Sequence, residues 1–473
     1  MKIKRATCYS FHLKGEESLA YLRLIGPFRQ AGISIINGIV DGQILFDCIS
    51  EGEIVIIQRE IPVKFNDYKK IMEIAHREGK PVVFDLDDLL FFLPEDHPGR
   101  QTQYYATSLL PMYQAMTEAD LVTVSTPKLG QVLGGYHDNI AVLPNYFDDT
   151  LWHLRPPVRK KLENGLLTIG YMGGYSHKPD LEYLAPVFLD LLERYPDRIR
   201  WQFWGIEAPE EIRSYSQVTS TLSYSYSYRE FATYFQTQSA DIFLAPLVDN
   251  LFNRCKSPVK FFEYSALGVP GVYSRLETYE GVVTHGKNGL LALSLDEWSE
   301  SIIELIENEE LRFELASNAQ ATIRASWLLS QNGYRWQETY RDYAGASLHA
   351  GRESQVDIIE SIHTQLNGAY TKKETEIEGL TQQLADRERE IQEKAQQLAD
   401  GEREIQEKAQ QLADSEREIQ ELATQVADQE CTIQEITDEK KRAEAEAAQY
   451  AASTSWRITR PLRKIMNKIR CVR

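Results

Sequence analysis

The chain has 473 residues, enough for two or three domains, and its net charge of −18 excludes nucleic acid as the main partner, because phosphate-backbone binding needs a basic face. The charge is uneven: residues 374–447 carry 22 acidic and 9 basic side chains, a net −13, whereas 456–473 carry 7 basic side chains and no acid, so the body is only mildly acidic. Cys8, Cys48, Cys255, Cys431 and Cys471 are odd in number and scattered, which indicates neither a disulfide framework nor a zinc site. The N-terminus has no apolar signal core and no apolar run reaches the length of a spanning helix, so the expected location is cytoplasmic.

From the start, short apolar runs alternate with amphipathic ones. Strands are expected over Arg5 to Phe11, Ile33 to Ile36, Glu53 to Gln58, Pro81 to Asp85, Asp120 to Ser125 and Asn139 to Leu143. Helices are expected over Leu19 to Gln30 (broken at Gly26-Pro27 and stopped by Gly32), over Phe65 to Glu78, over Tyr104 to Glu118, and from Pro127 onward. Such alternation predicts a doubly wound parallel sheet, with ligands at the carboxyl ends of its strands. Two segments are placed there: Arg23-Leu-Ile-Gly-Pro27, which contains Gly26, and Asp85-Leu-Asp-Asp88. Asp85, Asp87 and Asp88 read either as carboxylates for a hard cation, as capping acids after a strand, or, for Asp87 and Asp88, as substrate contacts without metal. His97, in a proline-flanked loop, is either a solvated side chain or an acid/base and binding group on the same side.

Residues 148–166, with Pro156 and Pro157, read as a linker, and a second alternating series follows. The strand Leu167 to Met172 leads through Gly173, Gly174, Ser176, His177 and Lys178 into a helix from Asp180 to Tyr195. A glycine pair at a helix start is an anion cradle or a βα turn that merely needs glycine. It is not GxGxxG, and no acid follows at ribose distance, which argues against a nicotinamide cofactor. After a strand at Ile199 to Gly205, the Tyr/Ser alternation of Leu222 to Arg229 predicts an edge strand with Tyr on one face. The stretch from Ala240 to Ser274 then reads as strand, polar loop, helix, strand. Pro258 suits the first turn of its helix, and Lys260 and Glu263, three apart, share a face. A strand, a polar loop and a helix N-terminus hold a phosphate well, although an ordinary buried βαβ unit has the same pattern. Helices over Leu295 to Glu307, Glu310 to Ala325 and Trp327 to Tyr343 close the body.

Three motifs carry a resemblance over about residues 1–345. They are Val142-Leu-Pro-Asn-Tyr-Phe-Asp148, Ile169-Gly-Tyr-Met-Gly-Gly-Tyr-Ser-His-Lys-Pro-Asp180, and Phe252-Asn-x-x-Lys-Ser-x-x-Lys-Phe-x-Glu-Tyr264 with Gly268-Val-Pro270. Together they resemble the interdomain segment, the Gly-rich loop and the donor-binding element of retaining GT-B glycosyltransferases of group 1 (family 4), of the bacterial surface-polysaccharide type. The resemblance implies two Rossmann-like domains, an acceptor domain over 1–147 and a donor domain over 167–326, with a closing helix over 327–350. It implies that Glu263 accepts hydrogen bonds from the ribose of a nucleotide sugar. Asn253, Ser257, Pro258 and Val259 with Lys256, Lys178 and Lys260 would hold the diphosphate, and Gly173, Gly174 and His177 would close over it. Asp87, Asp88 and His177 are the expected catalytic groups, with Gly26 and His97 on the acceptor side. Cys255 stands where the family often has a first glutamate, with Asp249 or Asn253 as the candidate substitute, and Asp87 takes the place of an N-domain histidine. An Asp-x-Asp metal site belongs to a different glycosyltransferase fold, so neither metal nor cofactor is expected.

In the tail, apolar residues fall every seventh place (Leu384, Ile391, Leu398, Ile405, Leu412, Ile419, Val426, Ile433), the spacing of a left-handed coiled coil over 351–452, whose pairing would make an oligomer. The second seam holds Arg387, Lys394, Gly401, Lys408 and Ser415, so a solvated single helix is the alternative. Residues 453–473 read as a basic amphipathic helix with Trp456 as anchor, lying on the anionic inner face of a membrane or back on the acidic coil. The Ser-Trp-Arg-x-Thr-x-Pro-Leu-Arg ending resembles that of bacterial polysaccharide-synthesis proteins, which would bring a lipid-linked acceptor within reach. The expected function is sugar transfer from a nucleotide-diphosphate donor to a surface glycan. A sugar-nucleotide epimerase or phosphorylase on the same scaffold, and an inactive body with a scaffolding tail, are the alternatives.

Overall fold

The computed structural model describes residues 2–61, 65–159, 165–222, 227–343, 356–407 and 412–452. The chain divides into two compact units, Met1–Ser361 and Ile362–Arg473.

The first unit contains two six-stranded parallel sheets. Strands β1 (Arg5–Tyr9), β2 (Ser34–Asn37), β3 (Ile54–Gln58), β4 (Val82–Leu86), β5 (Leu121–Val124) and β6 (Ile140–Val142) lie in the order β2-β1-β3-β4-β5-β6. Strands β7 (Leu167–Met172), β8 (Ile199–Trp204), β9 (Val218–Thr221), β10 (Ile242–Ala245), β11 (Gly271–Ser274) and β12 (Leu290–Ala292) lie in the order β9-β8-β7-β10-β11-β12. The cause is visible in β3, whose Ile-Val-Ile-Ile-Gln is buried throughout, as a parallel strand covered on both faces must be. In each sheet the direction of winding reverses once, between β1 and β3 and between β7 and β10, and crevices open at such points outside the carboxyl ends. The architecture is thus mixed α/β with two doubly wound, Rossmann-like halves.

Helices cover the sheets, and their ends are specified locally. Ser227 and Ser294 form capping boxes with Glu230 and Glu297 at the starts of Tyr228–Phe235 and Leu295–Glu307. The second half is packed around Trp201, Phe188 and Trp298, all buried. After Glu309–Ser326 the chain crosses back: Phe147 and Leu329 exchange backbone hydrogen bonds with the Trp327 and Phe147 carbonyls, and Tyr334–Tyr343 buries Trp336 and Tyr340 against Phe28 in the core of the first half.

Three local expectations are corrected. The Leu19 to Gln30 helix is not broken at Gly26-Pro27. It runs through as Ser18–Ala20, a π turn at Tyr21–Ile25 and Gly26–Ala31, ending at Gly32 with φ +68°. Proline fits because the wider π turn already forgoes the regular bond that its missing N–H would have made. Val218–Thr221 forms the edge strand and Tyr228 opens a helix instead of ending a strand, while the middle of the Tyr/Ser run, 223–226, lies outside the described residues. The helix expected from Tyr104 begins at Leu109.

Helix Val356–Glu407, which lies in the second unit from Ile362 onward, is followed by helix Leu412–Ala452. Lys373 Nζ lies 2.8 Å from a Glu446 carboxylate, and Gln429 Nε2 donates to Glu390 Oε1 at 2.7 Å. Both pairs are symmetric about residues 409–410, so the two helices run antiparallel, side by side. Ile377, Leu384, Ile391, Val426 and Ile433 are half-buried between them. The expected basic helix over 453–473 lies outside the described residues. Among the described residues no helix is long and apolar enough to cross a membrane.

Candidate functional site

A cleft of about 510 Å³ lies between the carboxyl edges of the two sheets. Its second-half wall is built by the segment after β10. Asn250 caps a short helix, Leu251–Arg254, and Arg254 returns to Asp249 at 2.6 Å. The chain then passes Cys255, Lys256 and Ser257 into helix Val259–Ala266, with Pro258 at its N-cap. Lys260 and Glu263 both face the cleft, as their spacing requires. Glu263 is 4 % exposed and accepts a hydrogen bond from the Tyr228 hydroxyl at 3.1 Å. Burial pushes its carboxyl up to about 7 against the pull of Lys260. Burial likewise brings the Lys260 ammonium down to about 8, partly opposed by Glu263. Lys256 sits 4.4 Å over the Phe252 ring and 3.9 Å from Asp88, and the Ser257 hydroxyl is buried with no hydrogen-bond partner among the described residues.

The loop after β7 faces this helix. A side chain at Gly173 would collide with the Tyr171 hydroxyl, and one at Gly205, where φ is +79°, would lie 2.7 Å from the Gly173 carbonyl. Glycine is therefore required at both positions, and the loop backbone reaches the cleft unshielded. His177 follows. Its Nδ1 is 2.8 Å from Asp180 Oδ2 and its Nε2 is 3.2 Å from Lys260 Nζ. Burial, then Lys260, brings its imidazole down to about 4, so the ring is neutral at pH 7. The other Asp180 oxygen accepts from the Val248 N–H at 2.7 Å and from Asn253 Nδ2 at 3.1 Å.

The first-half wall carries the opposite charge. Asp87 and Asp88 follow β4, and Arg59, with φ +49°, follows β3. Arg59 Nη1 is 3.3 Å from Asp87 Oδ1, and Arg59 also pairs with Glu60 at 3.2 Å and donates to the Tyr105 hydroxyl at 2.8 Å. A left-handed backbone at a bulky residue costs about 1–3 kcal/mol and persists only where its surroundings over-determine it, as these partners do here. Burial, against Arg59 and helped by the charge of Asp88, pushes Asp87 up to about 6. Asp88 is equally desolvated, but Lys256, Arg59 and the two nearby histidines outweigh that and hold it below the ordinary carboxylate value. Asp85 belongs to a different environment. It lies beneath the cleft, bound by Arg23 at 2.7 Å, Thr123 at 2.7 Å and Gln58 at 3.2 Å. The three aspartates therefore do not converge, and among the described residues no group of three or more His, Cys, Asp or Glu is placed to hold a metal.

Asp87, Asp88, Gly173, Gly174, His177, Lys256, Ser257, Val259, Lys260 and Glu263 are thus brought together. Five expected positions are not among the cleft lining. Lys178 turns to Glu182 at 3.3 Å, and Asn253 spends its amide on Asp180 and the Val248 carbonyl. Pro258 caps the helix, Gly26 is packed near Leu329 and Asp148, and His97 caps a short helix and packs edge-on against Phe252. Neither proposed stand-in for the first glutamate lines the cleft, since Asp249 is tied to Arg254 and Asn253 to Asp180. Cys255 itself is buried, and its carbonyl accepts from Thr126 of the first half at 2.8 Å. Arg59, Asn145, Tyr228 and Trp204 line the cleft and were not singled out as site residues. Of these, only Asn145, inside the quoted Leu-Pro-Asn motif, carried a usable signal.

Comparisons with known proteins bear on the fold and on the second half of the body. Residues 166–308 match the family described as glycosyl transferases group 1. No curated protein sequence matches the chain. Among solved structures, sucrose-phosphate synthase from Thermosynechococcus elongatus is similar at 12 % identity with a TM-score of 0.50, over 73 % of this chain and 100 % of that one. The Anabaena protein HepE in complex with UDP is similar at 16 % identity with a TM-score of 0.49, over 72 % and 100 %. At such identities the first of these speaks for the fold alone. Residues 166–308 are thus similar to the group 1 glycosyl transferases, and the chain that carries them is a transferase enzyme.

Proposed function

We propose that the protein is a retaining glycosyltransferase that moves a sugar from a nucleotide-diphosphate donor to a hydroxyl of a surface-polysaccharide or lipid-linked glycan. The observation that carries this is the pairing, on one helix face, of a buried carboxylate (Glu263) with a half-buried ammonium (Lys260), beside a glycine loop and a Ser257 hydroxyl that has no hydrogen-bond partner among the described residues. In this reading Glu263 takes the ribose hydroxyls. Lys260, Lys256, Ser257 and the N–H groups at the helix start take the diphosphate. As the bond from the anomeric carbon to the diphosphate oxygen breaks, negative charge collects on the leaving group. Cations fixed there in advance favour that state over the bound substrate. A new bond forms from the acceptor oxygen to the same face of that carbon, as retention requires, and the acceptor proton passes to Asp87, whose Oδ1 is buried and 3.3 Å from Arg59 Nη1. Asp88, kept ionised by Lys256, holds the acceptor side. No resident metal or cofactor enters this scheme.

We further propose an acceptor half over 1–147, a linker over 148–166, a donor half over 167–326 and a closing segment over 327–350. The tail is proposed as a coiled coil whose hairpins bring copies of the chain together, with 453–473 holding the enzyme peripherally on an anionic inner membrane face, in reach of a lipid-linked acceptor. A second reading has one observation in its favour: with Cys255 in place of a carboxylate and no substitute in the cleft, sugar hydroxyl recognition is depleted, as in an inactive body that organises a complex. A panel of nucleotide sugars decides between them. Nucleotide release, together with a nucleotide-induced rise in melting temperature, is expected; absence of both would leave the scaffold.

A further inference from the structure

We propose that Asp180 is a positioning residue that fixes His177 as its Nδ1–H tautomer, so that Nε2 holds Lys260 in the empty cleft and takes up a proton when a diphosphate arrives. The inference rests on the donor reading above and concerns its phosphate end only.

The hydrogen-bond inventory leaves little freedom. Asp180 is 4 % exposed, and its Oδ1 already accepts two N–H groups, from Val248 and Asn253. A carboxylate used in this way is an acceptor at both oxygens, so the 2.8 Å contact at Oδ2 requires the proton to sit on His177 Nδ1. Nε2 of a neutral ring is then a lone pair, and the only hydrogen bond it can make at 3.2 Å is one that Lys260 donates. Lys260 is thereby held by one N–H toward the glycine loop, leaving its other two for the cleft.

The groups facing His177 explain why it stays neutral until a ligand comes. Asp180 alone of its own segment favours the imidazolium. Lys260 and Lys256 oppose it from the facing helix and loop, while Asp88 attracts it from the first half and the Tyr171 ring stands edge-on at 6.4 Å. A diphosphate entering between the two lysines cancels the opposition and adds negative charge of its own. One proton from solvent then binds the Nε2 lone pair, Lys260 swings its freed N–H to a phosphate oxygen, and Nε2–H becomes a further donor to the same anion. No bond of the ligand changes. The site therefore gains a cation at the moment its anion binds, without adding a third positive charge beside Lys256 and Lys260 when empty.

The test uses the full chain and inorganic pyrophosphate, which has no ribose to engage Glu263. Titration calorimetry at pH 7 in two buffers of different ionisation enthalpy should show proton uptake by the wild type, in excess of that by His177→Gln, and Asp180→Asn should behave like His177→Gln. Asparagine has a single acceptor oxygen; with that oxygen kept by Val248 and Asn253, its amide faces the ring and forces the Nε2–H tautomer, which repels Lys260. Pyrophosphate binding should weaken about tenfold in Asp180→Asn, the loss of one charge-assisted bond. Nitrogen-15 spectra should give the Nδ1–H form for His177 in wild type and the opposite form in Asp180→Asn, a readout that mere destabilisation would not produce. Pyrophosphate binding with equal proton uptake in all three proteins, or an Nε2–H ring in wild type, would overturn the inference while leaving the donor reading intact. If neither pyrophosphate nor any nucleoside diphosphate binds wild type, the donor reading itself fails.

Discussion

Replacing Glu263 by glutamine tests the proposed ribose contact apart from the rest of the cleft, because the change is isosteric and removes one titration. In the folded protein burial lifts this carboxyl to about 7, from an ordinary 4.5. Only the ionised form offers two acceptor oxygens, and the Tyr228 hydroxyl already uses one of them. The competent fraction is about 0.1 at pH 6 and about 0.9 at pH 8, so apparent affinity for a nucleoside diphosphate gains about tenfold from this group across that interval. His177 and the ligand phosphates titrate too, so the ratio of Glu263→Gln to wild-type dissociation constants is the informative quantity. It should be about tenfold at pH 8, where a charge-assisted bond is lost, and fall toward unity near pH 6. Stability should move the other way. A carboxyl whose folded value lies above its unfolded one binds its proton more tightly in the native state. Its contribution is therefore lost as pH rises through about 4.5 to 7, to the order of 3 kcal/mol. Glu263→Gln should thus melt progressively higher relative to wild type as pH rises from 5 to 8. A dissociation-constant ratio that is flat with pH would refute the ribose assignment, and a flat melting difference would refute the burial argument beneath it.

Other consequences are equally direct. Arg23→Met strands Asp85 and frees the Leu143 carbonyl and Asn145, both of which accept from Arg23. It should cost about 3–5 kcal/mol in denaturant unfolding, and adding Asp85→Asn should recover part of that. Gly205→Ala forces an unfavourable φ and a Cβ against the Gly173 carbonyl, so about 1–2 kcal/mol and a measurable loss of nucleotide affinity are expected together. With Asp87 as base, kcat should rise with pH through about 6; Asp87→Asn should lower it about a hundredfold and abolish that limb. In the tail, Glu390→Cys with Gln429→Cys, in a Cys431→Ser, Cys471→Ser background, should oxidise to a crosslink within one chain. A crosslink between chains would reject the hairpin in cis.

Much of the fold was readable because parallel strands buried on both faces announce themselves as apolar runs, as Ile54 to Ile57 and Ile242 to Ala245 do. The shared face of helix Val259–Ala266 was readable for a related reason, since a spacing of three puts Lys260 and Glu263 on one side whatever surrounds them. What was missed depends on contacts between distant segments. Arg59 enters the cleft through a left-handed backbone held by Glu60, Tyr105 and Asp87, and Tyr228 reaches Glu263 from a helix whose preceding residues suggested a strand. The π turn at Tyr21–Ile25 is similarly set from outside, by burial of Arg23 on Asp85. Asp87 and Asp85, two residues apart, look alike in sequence, yet one faces the cleft and the other a saturated network below it.

The carbonyl of Cys255 ends up with a mechanical meaning. Thr126 grips it across the cleft, Lys128 reaches Glu277 at 3.1 Å nearby, and on the far rim the Glu16 carbonyl accepts from the Tyr228 N–H at 2.8 Å. Each such tie is worth about 0.5–1.5 kcal/mol or less, so together they latch the two halves only weakly. Because one end of the latch is the residue just before Lys256, parting the two halves pulls directly on the loop that carries that lysine.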